Sequence, residues 1–445
     1  MASSISAGTT TSTGLVCTAD TSGALQLATN NGTTALTLDT SQNATFVGSA
    51  TVNTIKSAAA TALTLQSAGT TAVTFDTSQN ATFAGYANLP NTFGFKNRII
   101  NGAMVIDQRN AGAATANTIS GYTVDRWQVV QSPTTGKVIG QQNAGSVTPP
   151  TGFNNYYGIT SQSAFSIVAG SIYTFIQPIE GFNFADLGWG TASAATATLS
   201  FWVRSSLTGT FGGSLGNGSS FNRSYPFTYT ISSANTWEYK TITIAGDTTG
   251  TWAGATNGIG VYVNFGLGVG STYSGTAGAW AGADYRSATG GTSVVGTNGA
   301  TFYITGVQFE KGSTATSFDY RSIGTELALC QRYFEMSYNI GTVPASSNTT
   351  QLRILSWAVN GANGGNGGVT FQVSKRAAPT VTTYDGAGTV NTVSTSTAAA
   401  NPSFTNGYAY QGAPGNISTS GFIHWGQGIV GNVYNYIHFT ASAEL

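Results

Sequence analysis

Thr198-Leu-Ser-Phe-Trp-Val-Arg204 alternates along its whole length and places Leu199, Phe201 and Val203 on one face. Successive strand side chains point to opposite faces, so this period of two predicts a half-buried β-strand. Residues 225–231, 237–244, 259–265 and 302–309 behave alike. Residues 98–106, 124–130 and 172–179 add further strands, and turn-rich segments separate them all. Strands in such number predict a β-sandwich of jelly-roll type over residues 96–321. Residues 266–300 form a long connection carrying Tyr273, Trp280, Asp284, Tyr285 and Arg286. A connection of that length is expected to be functional or disordered.

N-terminal to this region, thirteen residues occur twice. Thr34-Ala-Leu-Thr-Leu-Asp-Thr-Ser-Gln-Asn-Ala-Thr-Phe46 returns as Thr71-Ala-Val-Thr-Phe-Asp-Thr-Ser-Gln-Asn-Ala-Thr-Phe83. Gly23-Ala-Leu-Gln-Leu27 and Thr61-Ala-Leu-Thr-Leu65 are shorter echoes. Each unit is a brief alternating strand followed by a Ser/Asn turn, too short to bury its own apolar edge. Such units gain stability by stacking or by pairing with copies in other chains. Residues 20–95, with only Asp20, Asp39, Lys56 and Asp76 charged, are therefore expected to form a repeat-built trimeric shaft. Asn88-Leu-Pro-Asn-Thr92 marks its end. Residues 1–19, rich in Thr, Ser and Gly, are expected to be an attachment segment.

On the C-terminal side, Ile323, Leu327, Cys330 and Phe334 fall on one helical stripe. This predicts one linking helix over residues 322–336, capped by Ser322 or Thr325 and favoured at its start by Glu326. Residues 337–445 are expected to form a C-terminal β-sandwich tip, with strands at 352–359, 369–373, 380–384, 423–425 and 433–439. The fold class is thus all-β.

Of 445 residues only 7% are charged and 11% are aromatic, and the 16 basic and 16 acidic side chains cancel. The aromatic content argues against a disordered chain. No basic stripe points to nucleic acid, and no apolar run reaches the roughly 18–20 residues of a membrane span. The opening Met1-Ala-Ser-Ser-Ile-Ser lacks the basic and apolar regions of a secretory signal. Cys17 and Cys330 form no disulfide framework and are expected to be reduced. An adhesin-like composition without an export signal fits assembly in a host cytoplasm as part of a virus particle.

Two stretches point to a family. One is Phe95-Lys-Asn-Arg-Ile-Ile-Asn-Gly-Ala-Met-Val-Ile-Asp-Gln-Arg-Asn-Ala-Gly112 with Tyr122-Thr-Val-Asp-Arg-Trp127. The other is Phe302-Tyr-Ile-Thr-Gly-Val-Gln-Phe-Glu-Lys-Gly312, running through Phe318-Asp-Tyr-Arg-Ser322 to Glu326-Leu-Ala-Leu-Cys-Gln-Arg-Tyr-Phe334. Over residues 96–336 they resemble bacteriophage tail-fibre and related structural proteins, including those of cyanophages. They bracket a domain resembling a carbohydrate-binding-module sandwich. Lys375-Arg-Ala-Ala-Pro-Thr-Val381 resembles fibre tip domains. The resemblance implies a homotrimeric adhesion fibre on a virion tail, joined to a tail or baseplate protein through its N-terminus.

Asp125, Arg126 and Trp127 can grip a sugar or hold a corner of the fold; motifs shared by fibres with different ligands are expected to be scaffold. The same applies to Asp107, Arg109, Glu310 and Lys311. Glycoside hydrolysis needs two carboxylates at a set separation, and no pair shows a motif. Serine hydrolysis has only His424 and His438 as bases and no nucleophile elbow. Neither histidine spacing nor the cysteines match a metal site. No catalytic residue, metal or cofactor is expected. The aromatics that crowd the tip are the expected receptor contacts: Tyr408, Tyr410, Trp425, Tyr434 and Tyr436, with His424 and Asn435 as polar helpers. Sugars stack on such rings while amides reach hydroxyls, so the expected partner is a host-surface glycan. A structural spacer or decoration protein is the alternative, and a capsule-degrading tailspike enzyme the third reading.

Overall fold

The computed structural model describes residues 24–29, 33–41, 43–51, 54–57, 61–67, 69–77, 81–83, 95–218, 220–350, 352–358, 366–396, 405–409, 414–425 and 433–445. The chain divides into two compact units, Met1–Pro90 and Asn91–Leu445. The attachment segment expected at residues 1–19, with Cys17, and the break at 88–92 lie outside the described residues.

In the first unit the two copies of the repeat fold alike. Leu25–Thr29, Thr33–Leu38 and Ala44–Phe46 make one three-stranded antiparallel sheet, and Leu63–Ser67, Thr70–Phe75 and Ala81–Phe83 make another. The registers correspond: Leu25 faces Leu38 as Leu63 faces Phe75, and Leu36 faces Phe46 as Val73 faces Phe83. The repeated Asp-Thr-Ser-Gln-Asn is a turn. In the first copy the Asp39 carboxylate accepts the backbone N–H groups of Ser41 and Asn43 at 2.9 and 2.8 Å and the Asn43 side-chain amide at 2.9 Å. These bonds, the Asn43 amide first, hold Asp39 below the usual carboxylate range. The register gathers Leu25, Leu27, Leu36, Leu38 and Phe46 on one face of the first sheet. Leu25, Leu27, Leu38 and Phe46 stay 37–50% exposed within the single chain.

The second unit carries a jelly-roll-type β-sandwich. Its five-stranded sheet runs Glu238–Ile244, Ala197–Ser205, Thr301–Lys311, Tyr157–Ser161, Val138–Gln142. Its six-stranded sheet runs Ser224–Ile231, Gly209–Asn217, Ile259–Val269, Ile172–Glu180, Trp127–Ser132, Gly121–Val124. Leu199, Phe201 and Val203 point into the core, as their alternation predicts. There they meet Phe211, Phe265 and Phe302 from other strands. Trp127 is fully buried, stacks on Phe175 at 4.8 Å, and donates its indole N–H to Asn101 O at 3.2 Å. Trimming a core ring of this size to alanine costs about 3–5 kcal/mol.

The long connection at 266–300 is an ordered cover, neither open nor disordered. The strand Ile259–Val269 continues into it, and Ser274–Gly275 pairs in parallel with Ser287–Ala288. It lies on the six-stranded sheet because Gly212 and Gly266 leave room: a Cβ at either would sit 2.4 or 2.5 Å from Ser287 Oγ. Trp280 donates to Ala245 O at 2.8 Å, and Arg286 lies over the Phe221 ring at 4.1 Å.

One α-helix, Ile323–Gln331, occurs among the described residues, with Ser322 Oγ accepting the Thr325 N–H at 3.4 Å. It stops short of the predicted residue 336. Phe334–Met336 instead pairs at the edge of the long strand Val433–Ser442. Strand pairing and burial of Phe334 override the helical stripe.

That long strand organises the C-terminal module, pairing also with Arg353–Ala358, Thr380–Tyr384 and Thr392–Ser396. Thr405–Ala409 extends the sheet, and Asn366–Thr370 pairs with Gly421–Trp425. Val369, Phe371, Val393, Phe422, Ile437 and Phe439 form its core. A buried pair, Lys375 Nζ to Glu335 Oε2 at 2.6 Å, ties in the Lys-Arg-Ala-Ala-Pro motif. The module is bolted to the sandwich by Arg332 on Glu180 at 2.6 and 2.9 Å, and by Arg109 and Arg126 on Glu444.

Candidate functional site

Four of the seven tip residues have described side chains, and these are largely enclosed. His424, Asn435 and Tyr436 are buried within the chain, and Tyr434 is half-buried. Asn435 and Tyr436 lie on Val433–Ser442 where it pairs with Arg353–Ala358 and Thr392–Ser396, and His424 lies on Gly421–Trp425. Tyr408 lies in Thr405–Ala409 and Trp425 ends Gly421–Trp425. Their side chains, and all of Tyr410, lie outside the described residues. Burial holds the His424 imidazole down to about 4. His438 is a packing residue: it stacks on Tyr338 at 3.8 Å, with Ser337 Oγ 3.0 Å from Nδ1 and Asn348 O 2.9 Å from Nε2.

The motif charges are scaffold in this geometry. Asp125 accepts the Gln108 backbone and side-chain N–H groups at 2.7 and 2.6 Å, and burial pushes its carboxyl up to about 7. Arg126 pairs with Glu444, donates to Pro178 O at 2.7 Å and lies 3.6 Å over the Tyr333 ring. Asp107 closes a turn by accepting the N–H groups of Asn110 and Gly112 at 2.9 and 2.8 Å.

An accessible concentration of aromatic surface lies on the outer face of the five-stranded sheet. Core-facing Leu199, Phe201 and Val203 oblige Ser200, Trp202 and Arg204 to face out. Trp202 pairs in register with Tyr239 on the neighbouring strand, and the two rings lie 5.4 Å apart at 48°. Tyr239 is 43% exposed. Opposite them stand Phe153, Phe318 and Tyr320, with centroids 4.9–5.6 Å apart. Together these rings wall a groove of about 460 Å³ whose polar lining is Ser200, Thr316 and Ser317.

Two local features build the far wall. The strand Thr301–Lys311 bulges opposite Phe201, where the register slips between Ser200 and Trp202. Gly306 occupies this bulge at φ +61°, and a Cβ there would sit 2.6 Å from Phe153 Cζ. The segment bearing Phe318 and Tyr320 is pinned from below. Glu310 accepts the Thr316 N–H at 2.9 Å and its hydroxyl at 2.6 Å, and Gln308 Oε1 accepts the Asp319 N–H at 2.8 Å. Glu310 thus serves the groove as a positioning residue. Tyr320 donates to Gly152 O at 2.8 Å, which steadies its ring.

The groove escapes a linear reading because its rings come from residues 153, 202, 239, 318 and 320. The available signal was a tryptophan on the outward side of an otherwise regular strand. Chemically the groove offers apolar ring faces, hydroxyls and no carboxylate in its lining. That suits adsorption of an uncharged, partly apolar chain such as a glycan.

No protein-family model matches the chain, and the curated proteins contain no match. Among solved structures it is similar to the enzymatically active domain of tailspike protein 4 from bacteriophage CBA120, at 14% identity and TM-score 0.27, over 48% of this chain and 21% of that one. It thus spans about a fifth of that tailspike chain. A CBM4 structure is similar at 16% identity and TM-score 0.24, over 48% of this chain and 98% of that one. So is a family 11 carbohydrate-binding module from Clostridium thermocellum in complex with a β-1,3-1,4-mixed-linked tetrasaccharide, at 11% and 0.24, over 44% and 93%.

Proposed function

We propose that this chain is the subunit of a homotrimeric phage tail fibre that attaches to a glycan on the host surface, and that the sandwich groove holds the glycan. The observation that carries the reading is the solvent-facing groove between Trp202, Tyr239, Phe153, Phe318 and Tyr320. The low charge of the chain agrees with a neutral ligand, because a charge buried without a partner is costly. Binding without hydrolysis is proposed, since hydrolysis needs two carboxylates about the scissile bond and none lines the groove itself.

The exposed apolar faces of the first unit support the trimer. A three-stranded sheet with one bare apolar face gains stability when equivalent sheets of other copies cover it. The N-terminal segment would join the tail or baseplate, and the particle would assemble in the host cytoplasm. The tip is the second place for the receptor contact, through Tyr408, Tyr410, Trp425 and Tyr434. Burial of His424, Asn435 and Tyr436 favours the groove over it.

Adsorption of the labelled full-length protein to a panel of bacteria tests the reading. Trp202→Ala is expected to weaken adsorption on every strain that wild type binds. Undiminished adsorption by Trp202→Ala, with loss in Trp425→Ala, would move the site to the tip. No adsorption by wild type to any strain would favour a spacer or decoration protein.

A further inference from the structure

Resting on the glycan reading of the groove, we infer that the smaller cavity beside it is a terminal subsite that takes one non-acidic sugar residue at the end of the glycan and rejects acidic ones. This cavity of about 180 Å³ shares Phe153, Phe318 and Tyr320 with the groove, so the two are adjacent across the same rings. The two differ in shape. Trp202 and Tyr239 are neighbours along an open face. Phe318 instead meets Phe153 and Tyr320 nearly edge-on, at 71° and 72°, and so makes a corner. A corner encloses the end of a chain, whereas an open face lets the chain run through.

Charge sets the preference. Arg321 lines the cavity, but its guanidinium is already engaged: it reaches Glu326 at 3.3 Å, Asp319 Oδ2 at 3.8 Å and Ile99 O at 3.2 Å, and also bonds Asn97 O. Two carboxylates, Asp319 and Glu326, stand against this one cation, leaving one negative charge in excess. Asp319 Oδ2 accepts the Asn97 N–H at 3.3 Å, while its Oδ1 accepts no hydrogen bond from any described residue. Asn154 adds an exposed side-chain amide to the lining. A sugar hydroxyl donating to Oδ1 would make a charge-assisted bond, with Asn154 answering a neighbouring hydroxyl. A uronic or sialic acid would instead bring its carboxylate against Asp319, and the cavity lining holds no cation besides the engaged Arg321 to receive it.

The test is titration of the full-length protein with soluble neutral oligosaccharides and with the same chains ending in a uronic or sialic acid. Wild type should bind the neutral series at least about tenfold more tightly, the ratio that about 1.4 kcal/mol confers. Asp319→Asn should weaken neutral binding and narrow that ratio, and Asn154→Ala, on an exposed loop, should weaken neutral binding too. Trp202→Ala should weaken both series alike, and a bulky neutral cap on the terminal residue should abolish the preference. Equal or tighter binding of acid-ended chains by wild type, or an unchanged ratio in Asp319→Asn, would overturn the subsite while leaving the groove reading intact. Failure of every oligosaccharide to bind wild type would remove the groove reading itself, and the subsite with it.

Discussion

Gly306→Ala probes the bulge on which the groove wall rests. Two separate costs follow from the geometry. First, φ +61° is left-handed backbone, which charges a residue bearing a Cβ roughly 1–2 kcal/mol. Second, the new methyl would lie 2.6 Å from Phe153 Cζ, so the ring must move. Phe153 is half-buried at the surface and can yield, so this second cost is the lost ring contacts, about 0.5–1.5 kcal/mol. Urea unfolding should therefore show a loss of about 1.5–3.5 kcal/mol. Oligosaccharide binding should weaken several-fold, because the displaced ring is a groove wall. Phe153→Ala supplies the control. With the ring gone, only backbone strain remains, and Gly306→Ala should then cost about 1–2 kcal/mol. If the substitution costs as much with Phe153 absent as with it present, Gly306 does not make room for that ring and the account of the wall is wrong.

Two further outcomes are expected. Asp125, pushed up to about 7, contributes stability that is present below about pH 4 and lost as pH rises through 7; His424, held down to about 4, contributes stability present above about 6.5 and lost as pH falls through 4. The two oppose each other between about pH 4 and 6.5, so Asp125→Asn should expose an acid-side loss of up to about 1.4 kcal/mol per pH unit; a urea-unfolding profile parallel to wild type would refute the assignment. Leu38→Lys with Phe75→Lys places charge on both apolar sheet faces and should convert a particle of three 45.6 kDa chains to monomers in analytical ultracentrifugation; wild type already monomeric at micromolar concentration would sink the shaft.

The sandwich was legible because its strands carry their periodicity locally. Leu199, Phe201 and Val203 declare a core face without reference to any other strand. The repeated Asp-Thr-Ser-Gln-Asn was legible for a similar reason, since one carboxylate closes the turn within five residues. The groove was not. Trp202 meets Tyr239 only through strand register, and Phe153 meets Phe318 only because two distant loops converge. The C-terminal aromatics are legible only as a cluster. Their density marks burial as readily as recognition: Tyr436 is buried while Tyr434, on the same strand, is half-buried. The helix shows the same limit, since its stripe continues to Phe334 while a distant strand claims that residue.

The most direct test of the central claim is a glycan microarray probed with full-length wild type, Trp202→Ala and the double variant Trp202→Ala/Tyr239→Ala, each shown to be folded by near-ultraviolet circular dichroism. The account predicts that wild type binds a defined set of glycans, that the single variant retains a weakened version of the same set, and that the double variant binds none. A double variant that keeps the wild-type pattern and intensity would contradict it.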